Sequence, residues 1–151
     1  MKKRFRSEVL LSQGQDRGRD RPLEEGPMGR LARVLLVDDD RMMRLLESAV
    51  IRNIGADAKF ASDGREGLER FKETRPDLIV TDMQMPIMNG LEMLREIKRI
   101  DPSARAMVVS GGLPLHEENA FYDAGALLIL DKPCRMAELE RAVRYCLLGL
   151  E

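Results

Sequence analysis

The sequence predicts an α/β domain in which a parallel sheet is buried on both faces and wrapped by helices. Three observations lead there. Five short aliphatic runs recur along the chain, each followed by a segment with helical periodicity. The runs are nearly continuous in apolar residues, as strands covered on both faces must be. Acids, a hydroxyl and an amine sit just past the runs, on the edge where folds of this class place their sites.

The elements follow in chain order. Residues 1–30, which include "SQGQDRGRDRPLEEGPMGR", are polar, rich in Gly and Arg and aperiodic, and predict a disordered arm. Residues 1–27 hold seven basic and five acidic groups, a mixed charge that suits a solvated tail. Glu24-Glu25-Gly26 upstream of Met28 also fits a translated ribosome-binding stretch, which makes Met28 an alternative start. The intact mass of the natively expressed protein decides between the two. A domain over 31–151 follows.

Residues 34–37, "VLLV", predict the first strand. Residues 41–55 predict a helix with Met42, Leu45, Leu46, Ala49, Val50 and Ile54 at helical spacing and Gly55 as its stop. Residues 57–61 are a weaker strand. Residues 63–76 predict a helix capped by Asp63 and Glu66, with Leu68 and Phe71 inward and Pro76 ending it. The third strand is 78–80, and the helix 89–102 opens on an Asn-x-x-Glu cap. The fourth strand is 106–110, followed by a polar helix at 115–125. The fifth strand, 126–130, precedes a closing amphipathic helix at 136–148.

Bulk properties narrow the function classes. A chain of 151 residues suits one domain, and aromatics at 4% leave an aliphatic, Met-filled core. The net charge of −1 gives no signal for nucleic acid. No apolar stretch approaches the roughly 20 residues a membrane helix needs. The basic first residues are not followed by an apolar run, which excludes a secretory signal. Cys134 and Cys146 form no CxxC pair and fit two free thiols in a reducing cytoplasm. His116 is the one histidine, placed on a polar segment as a surface residue.

The strand ends carry the chemistry. The first delivers Asp38, Asp39 and Asp40, the third Asp82, the fourth Ser110 before Gly111-Gly112, and the fifth Asp131-Lys132-Pro133. Asp40 suits a helix cap. Two carboxylates 4–5 Å apart repel by roughly 3–4 kcal/mol at an effective dielectric near 20. A hard divalent cation removes that cost, and an all-oxygen set suits Mg²⁺. A metal, a lysine and a hydroxyl around one carboxylate stabilise a transferring phosphoryl group, and a carboxylate can itself accept it. The methionines at 83, 85, 88 and 93 suit packing, because Mg²⁺ does not use sulfur.

With "LLVDDD" (35–40), "DMQMPIMNG" (82–90), "VVS" (108–110) and "DKP" (131–133) in this order, residues 33–148 resemble the receiver domain of two-component response regulators. The resemblance implies a flavodoxin-like (βα)5 fold, a five-stranded parallel sheet of strand order 2-1-3-4-5. It implies Mg²⁺ held by Asp38, Asp39, Asp82 and the backbone carbonyl of Gln84. It makes Asp82 the acceptor of a phosphoryl group from a sensor histidine kinase or phosphotransfer protein. Ser110 and Lys132 contact the phosphoryl oxygens, and the Lys132-Pro133 bond is cis. The implied product is a cytoplasmic signalling module without an output domain. It acts on a downstream protein target and has no direct DNA or membrane contact.

One position departs from the family. Ile129 stands where many members carry an aromatic switch residue, so coupling to the far face is either weaker or carried by loop 111–114. Two other functions compete. A degenerate receiver would bind partners without phosphate. An Asp-nucleophile phosphatase would use Asp38-x-Asp40, but that motif needs a hydroxyl where Met42 stands.

Overall fold

A computed structural model describes the backbone of residues 3–5 and residues 29–148 in full. Five parallel strands form the sheet: β1 (Arg33–Val37), β2 (Asp57–Ala61), β3 (Leu78–Thr81), β4 (Ala106–Ser110) and β5 (Ala126–Asp131). Their spatial order is 2-1-3-4-5, as the resemblance implies. A further short strand, Lys3–Phe5, pairs parallel with β5, Lys3 opposite Leu128 and Phe5 opposite Leu130. At these three residues the backbone departs from the disordered arm expected for 1–30; residues 6–28 lie outside the described residues.

Side-chain alternation along the strands builds two core layers. Val34, Leu36, Val80, Val109 and Leu130 face α1 (Arg41–Asn53) and α5 (Met136–Leu148), meeting Ile51, Leu139 and Val143. Leu35, Val37, Ile79, Val108 and Ile129 face the other way. There they meet Phe71 of α2 (Gly64–Thr74), Met93 and Ile97 of α3 (Gly90–Ile100), and Phe121 of α4 (Glu118–Asp123). The central strands β1, β3 and β4 are therefore covered on both sides, which is why their runs contain so few polar residues.

Local chemistry sets the helix ends. Asp40 caps α1 by accepting from the backbone N–H groups of Met42 and Met43. Asp63 caps α2 through the Glu66 N–H at 2.8 Å. The return bond of that box goes one residue further upstream, from Ser62 N–H to Glu66 Oε2 at 3.2 Å. Asn89 caps α3 through the Glu92 N–H. Each such cap contributes about 1 kcal/mol.

Two expectations need correction. The residues 115–125 are not one helix: a 3₁₀ turn, Leu115–Glu117, precedes the six-residue α4, and no side chain caps either start. In α1 the apolar stripe does not all face inward. Met42, Leu45 and Leu46 are 62%, 52% and 41% exposed, and Ala49 is exposed too. The buried face holds Glu47, Ser48, Val50 and Ile51.

The topology positions the site. β1 is flanked by β2 and β3, so the chain reverses its winding direction there, and a crevice opens at the C-terminal end of the sheet. Val37 lies opposite Thr81, which puts Asp38 and Asp82 side by side on leaving their strands. The ladder continues one bond beyond, with Asp82 N–H donating to Val37 carbonyl at 3.0 Å. Ser110 lies opposite Asp131, and Lys132 N–H donates to Ser110 carbonyl at 2.9 Å.

Candidate functional site

One oxygen each from Asp38, Asp39 and Asp82 lie within 4.8 Å of one another. The three differ in setting. Asp38 is buried, Asp82 is half-buried and Asp39 is exposed. Asp38 Oδ1 accepts from the Asp40 N–H at 2.9 Å, and its Oδ2 lies 3.5 Å from Lys132 Nζ. Asp82 Oδ1 accepts from the Met83 N–H at 2.7 Å, and its Oδ2 lies 3.6 Å from the same amine. Lys132 thus bridges the two acids from β5. The peptide bond between Lys132 and Pro133 is cis, as the resemblance implies.

The electrostatics are unbalanced towards negative charge. At the observed spacing each carboxylate pair repels by about 3–4 kcal/mol at an effective dielectric near 20, and one ammonium faces three acids. Burial pushes the Asp38 carboxyl up, against the Asp40 N–H and Lys132, which pull it down. Burial alone would lower Lys132, but Asp38, Asp82 and Glu47 outweigh it and hold the ammonium above its ordinary range. The donor set is all oxygen, clustered and short of positive charge, so it fits a hard divalent cation such as Mg²⁺. Gln84 is exposed on the loop that follows Asp82.

Ser110 ends β4 with its side chain buried, and its hydroxyl donates to the sulfur of Met83 at 4.0 Å. Gly111 and Gly112 follow, both exposed, with Gly112 at φ +93° and open space around it. The structure thus brings Asp38, Asp39, Asp82, Ser110 and Lys132 to one strand edge. His116 is exposed, beside Glu117. Cys134 and Cys146 are free thiols, and burial pushes Cys146 up to about 12.

Glu47 escaped the sequence reading. It lies on α1, 2% exposed, and burial followed by repulsion from Asp38 pushes its carboxyl up to about 8. A signal was available: Glu47 precedes Val50 by three and Ile51 by four residues, which puts it on their face of the helix.

Comparisons with known proteins agree with this fold. The response regulator receiver domain model matches residues 34–144. The chain is 37% identical over 103 residues to response regulator receiver protein Anae109_2439 of Anaeromyxobacter sp.. That match covers 68% of the chain and 43% of the relative. It is 43% identical over 79 residues to chemotaxis protein CheY of Thermotoga maritima, covering 52% of the chain and 66% of that protein. The chain thus spans about half the length of several of the curated relatives it matches. Among solved structures, a CheY-like receiver domain protein of Methanospirillum hungatei superposes with a TM-score of 0.74 at 26% identity. That superposition covers 78% of this chain and 94% of the other.

Proposed function

The chain belongs to the response regulator receiver domain family, and on that premise we propose that Asp82 is its phosphoryl acceptor. Receiver domains are signalling modules under phosphorylation control and not turnover enzymes. They bind Mg²⁺ at an acidic pocket and interact with histidine kinases or phosphotransfer proteins. In this chain the donor is a phospho-histidine of such a protein, and the phospho-state alters contacts with a downstream protein. The observation that carries the reading is the setting of Asp82. It stands at the sheet's switch point, 3.6 Å from Lys132 Nζ and clustered with Asp38 and Asp39.

The residues divide the work. A carboxylate oxygen of Asp82 forms the new O–P bond as the P–N bond of the phospho-histidine breaks and the imidazole leaves. The Met83 N–H holds Asp82 Oδ1 and so fixes the carboxylate plane before the phosphoryl group arrives. Lys132 and the Ser110 hydroxyl take up charge on the phosphoryl oxygens. Asp38, Asp39, Asp82 and the Gln84 carbonyl would hold Mg²⁺, which supplies charge neutralisation at the transferring group when bound. Positioning and electrostatics suffice for such a transfer.

The test uses acetyl phosphate and Mg²⁺ with intact mass as the readout. Wild type should gain one phosphoryl group that alkali removes, and Asp82→Asn should gain none. Wild type gaining none would make the chain a phosphorylation-independent interaction module instead.

A further inference from the structure

We propose that Met83 is a positioning residue that holds the Ser110 hydroxyl on its sulfur in the unphosphorylated chain and yields it to the phosphoryl group. The inference rests on the reading of Asp82 as acceptor and goes beyond it.

Ser110 is 1% exposed, so bulk water does not satisfy its hydroxyl. The acceptor that hydroxyl finds among the described residues is Met83 Sδ, at 4.0 Å. A thioether is a weak acceptor, and a buried donor without a good acceptor costs free energy. A phosphoryl oxygen on Asp82 is anionic, and a charge-assisted hydrogen bond to it is about twice as strong as a neutral one. Release from sulfur to phosphoryl oxygen is therefore downhill. A strong acceptor in place of the sulfur would oppose it.

Met83 is suited to the task by its place. It follows the acceptor directly, and its own N–H grips Asp82 Oδ1 at 2.7 Å, so the backbone of one residue touches the acid and its side chain touches the hydroxyl. Its side chain also packs on the core layer that holds Leu113 and Ile129. Movement of Ser110 away from the sulfur thus alters a contact of that layer without an aromatic ring at position 129.

The experiment measures the affinity of beryllofluoride, a phosphoryl mimic, with Mg²⁺. Met83→Leu keeps the volume and removes the acceptor; it should bind the mimic about three- to tenfold more tightly, because the mimic relieves an unpaired donor. Met83→Gln supplies a strong amide acceptor and should bind it more weakly than wild type by about the same factor. Both shifts should vanish when the same changes are made on Ser110→Ala, since the effect is routed through that hydroxyl. Shifts in the same direction, no shifts, or shifts that survive Ser110→Ala would overturn the role of Met83 while leaving the acceptor intact. A wild type that binds no mimic, or an Asp82→Asn that binds it equally well, would overturn both.

Discussion

Replacing Gly90 with alanine is expected to destabilise the domain by about 3 kcal/mol and to impair phosphoryl uptake in the same variant. A Cβ at this position would stand 2.2 Å from the backbone oxygen of Asp82 and 3.3 Å from Thr81 Oγ1. The first of these is main chain, so it cannot swing aside: relief requires moving either the start of α3 or the acceptor itself. The Gly90 N–H also donates to Met83 carbonyl at 3.0 Å, which closes the loop between the acid and the helix. Gly64 makes a matching approach to the other end of that loop, where a Cβ would stand 2.3 Å from Met88 carbonyl oxygen. Urea unfolding checks the stability and intact mass checks the uptake. Gly111→Ala is the control, because its Cβ would meet nothing nearer than Lys132 Cβ at 3.6 Å. A Gly90→Ala variant as stable as the control would show that the loop has slack.

The second large effect is a pH-dependent gain in stability from Glu47→Leu. Glu47 is nearly fully buried, and its carboxyl is pushed from near 4.5 to about 8 by burial first and by Asp38 next, with Lys132 opposing. Between those values the folded chain holds a proton that the unfolded chain has released. Linkage then makes wild-type stability fall as pH rises through that window. Leucine removes the slope. The variant's advantage over wild type should therefore be small near pH 5 and reach roughly 2–4 kcal/mol by pH 9. Urea unfolding of both proteins at pH 5, 7 and 9 measures it. An advantage independent of pH would mean that Glu47 carries its charge without cost.

Much of the architecture was legible because its signals are strong and repeated. Apolar runs at the strands, caps at Asp40, Asp63 and Asn89, and polar groups at strand ends all point to one sheet and one edge. The site residues were legible for the same reason. A parallel sheet collects whatever follows its strands, so Asp38, Asp82, Ser110 and Lys132 meet even though up to 94 positions separate them.

What was not legible depends on packing that no local pattern encodes. Met42, Leu45 and Leu46 have the spacing of a core stripe, yet α1 turns its other side to the sheet. The spacing alone cannot choose between two faces when the buried one carries a carboxylate. The segment 115–125 has helical composition but no capping side chain, and it breaks into a 3₁₀ turn and a short helix. Gly90 looks like the second half of an Asn-Gly turn; only the fold reveals that the missing side chain makes room for the Asp82 carbonyl.

The most direct measurement is to locate the phosphoryl group. After reaction with a phospho-histidine donor or acetyl phosphate in Mg²⁺, borohydride reduction converts an acyl phosphate on aspartate to homoserine, which peptide mass spectrometry then places. The modified residue should be Asp82, with Asp38 and Asp39 unmodified and no conversion when Mg²⁺ is chelated. Homoserine at another acid, or at none in a chain that is folded and supplied with Mg²⁺, would contradict the assignment of Asp82 as the acceptor.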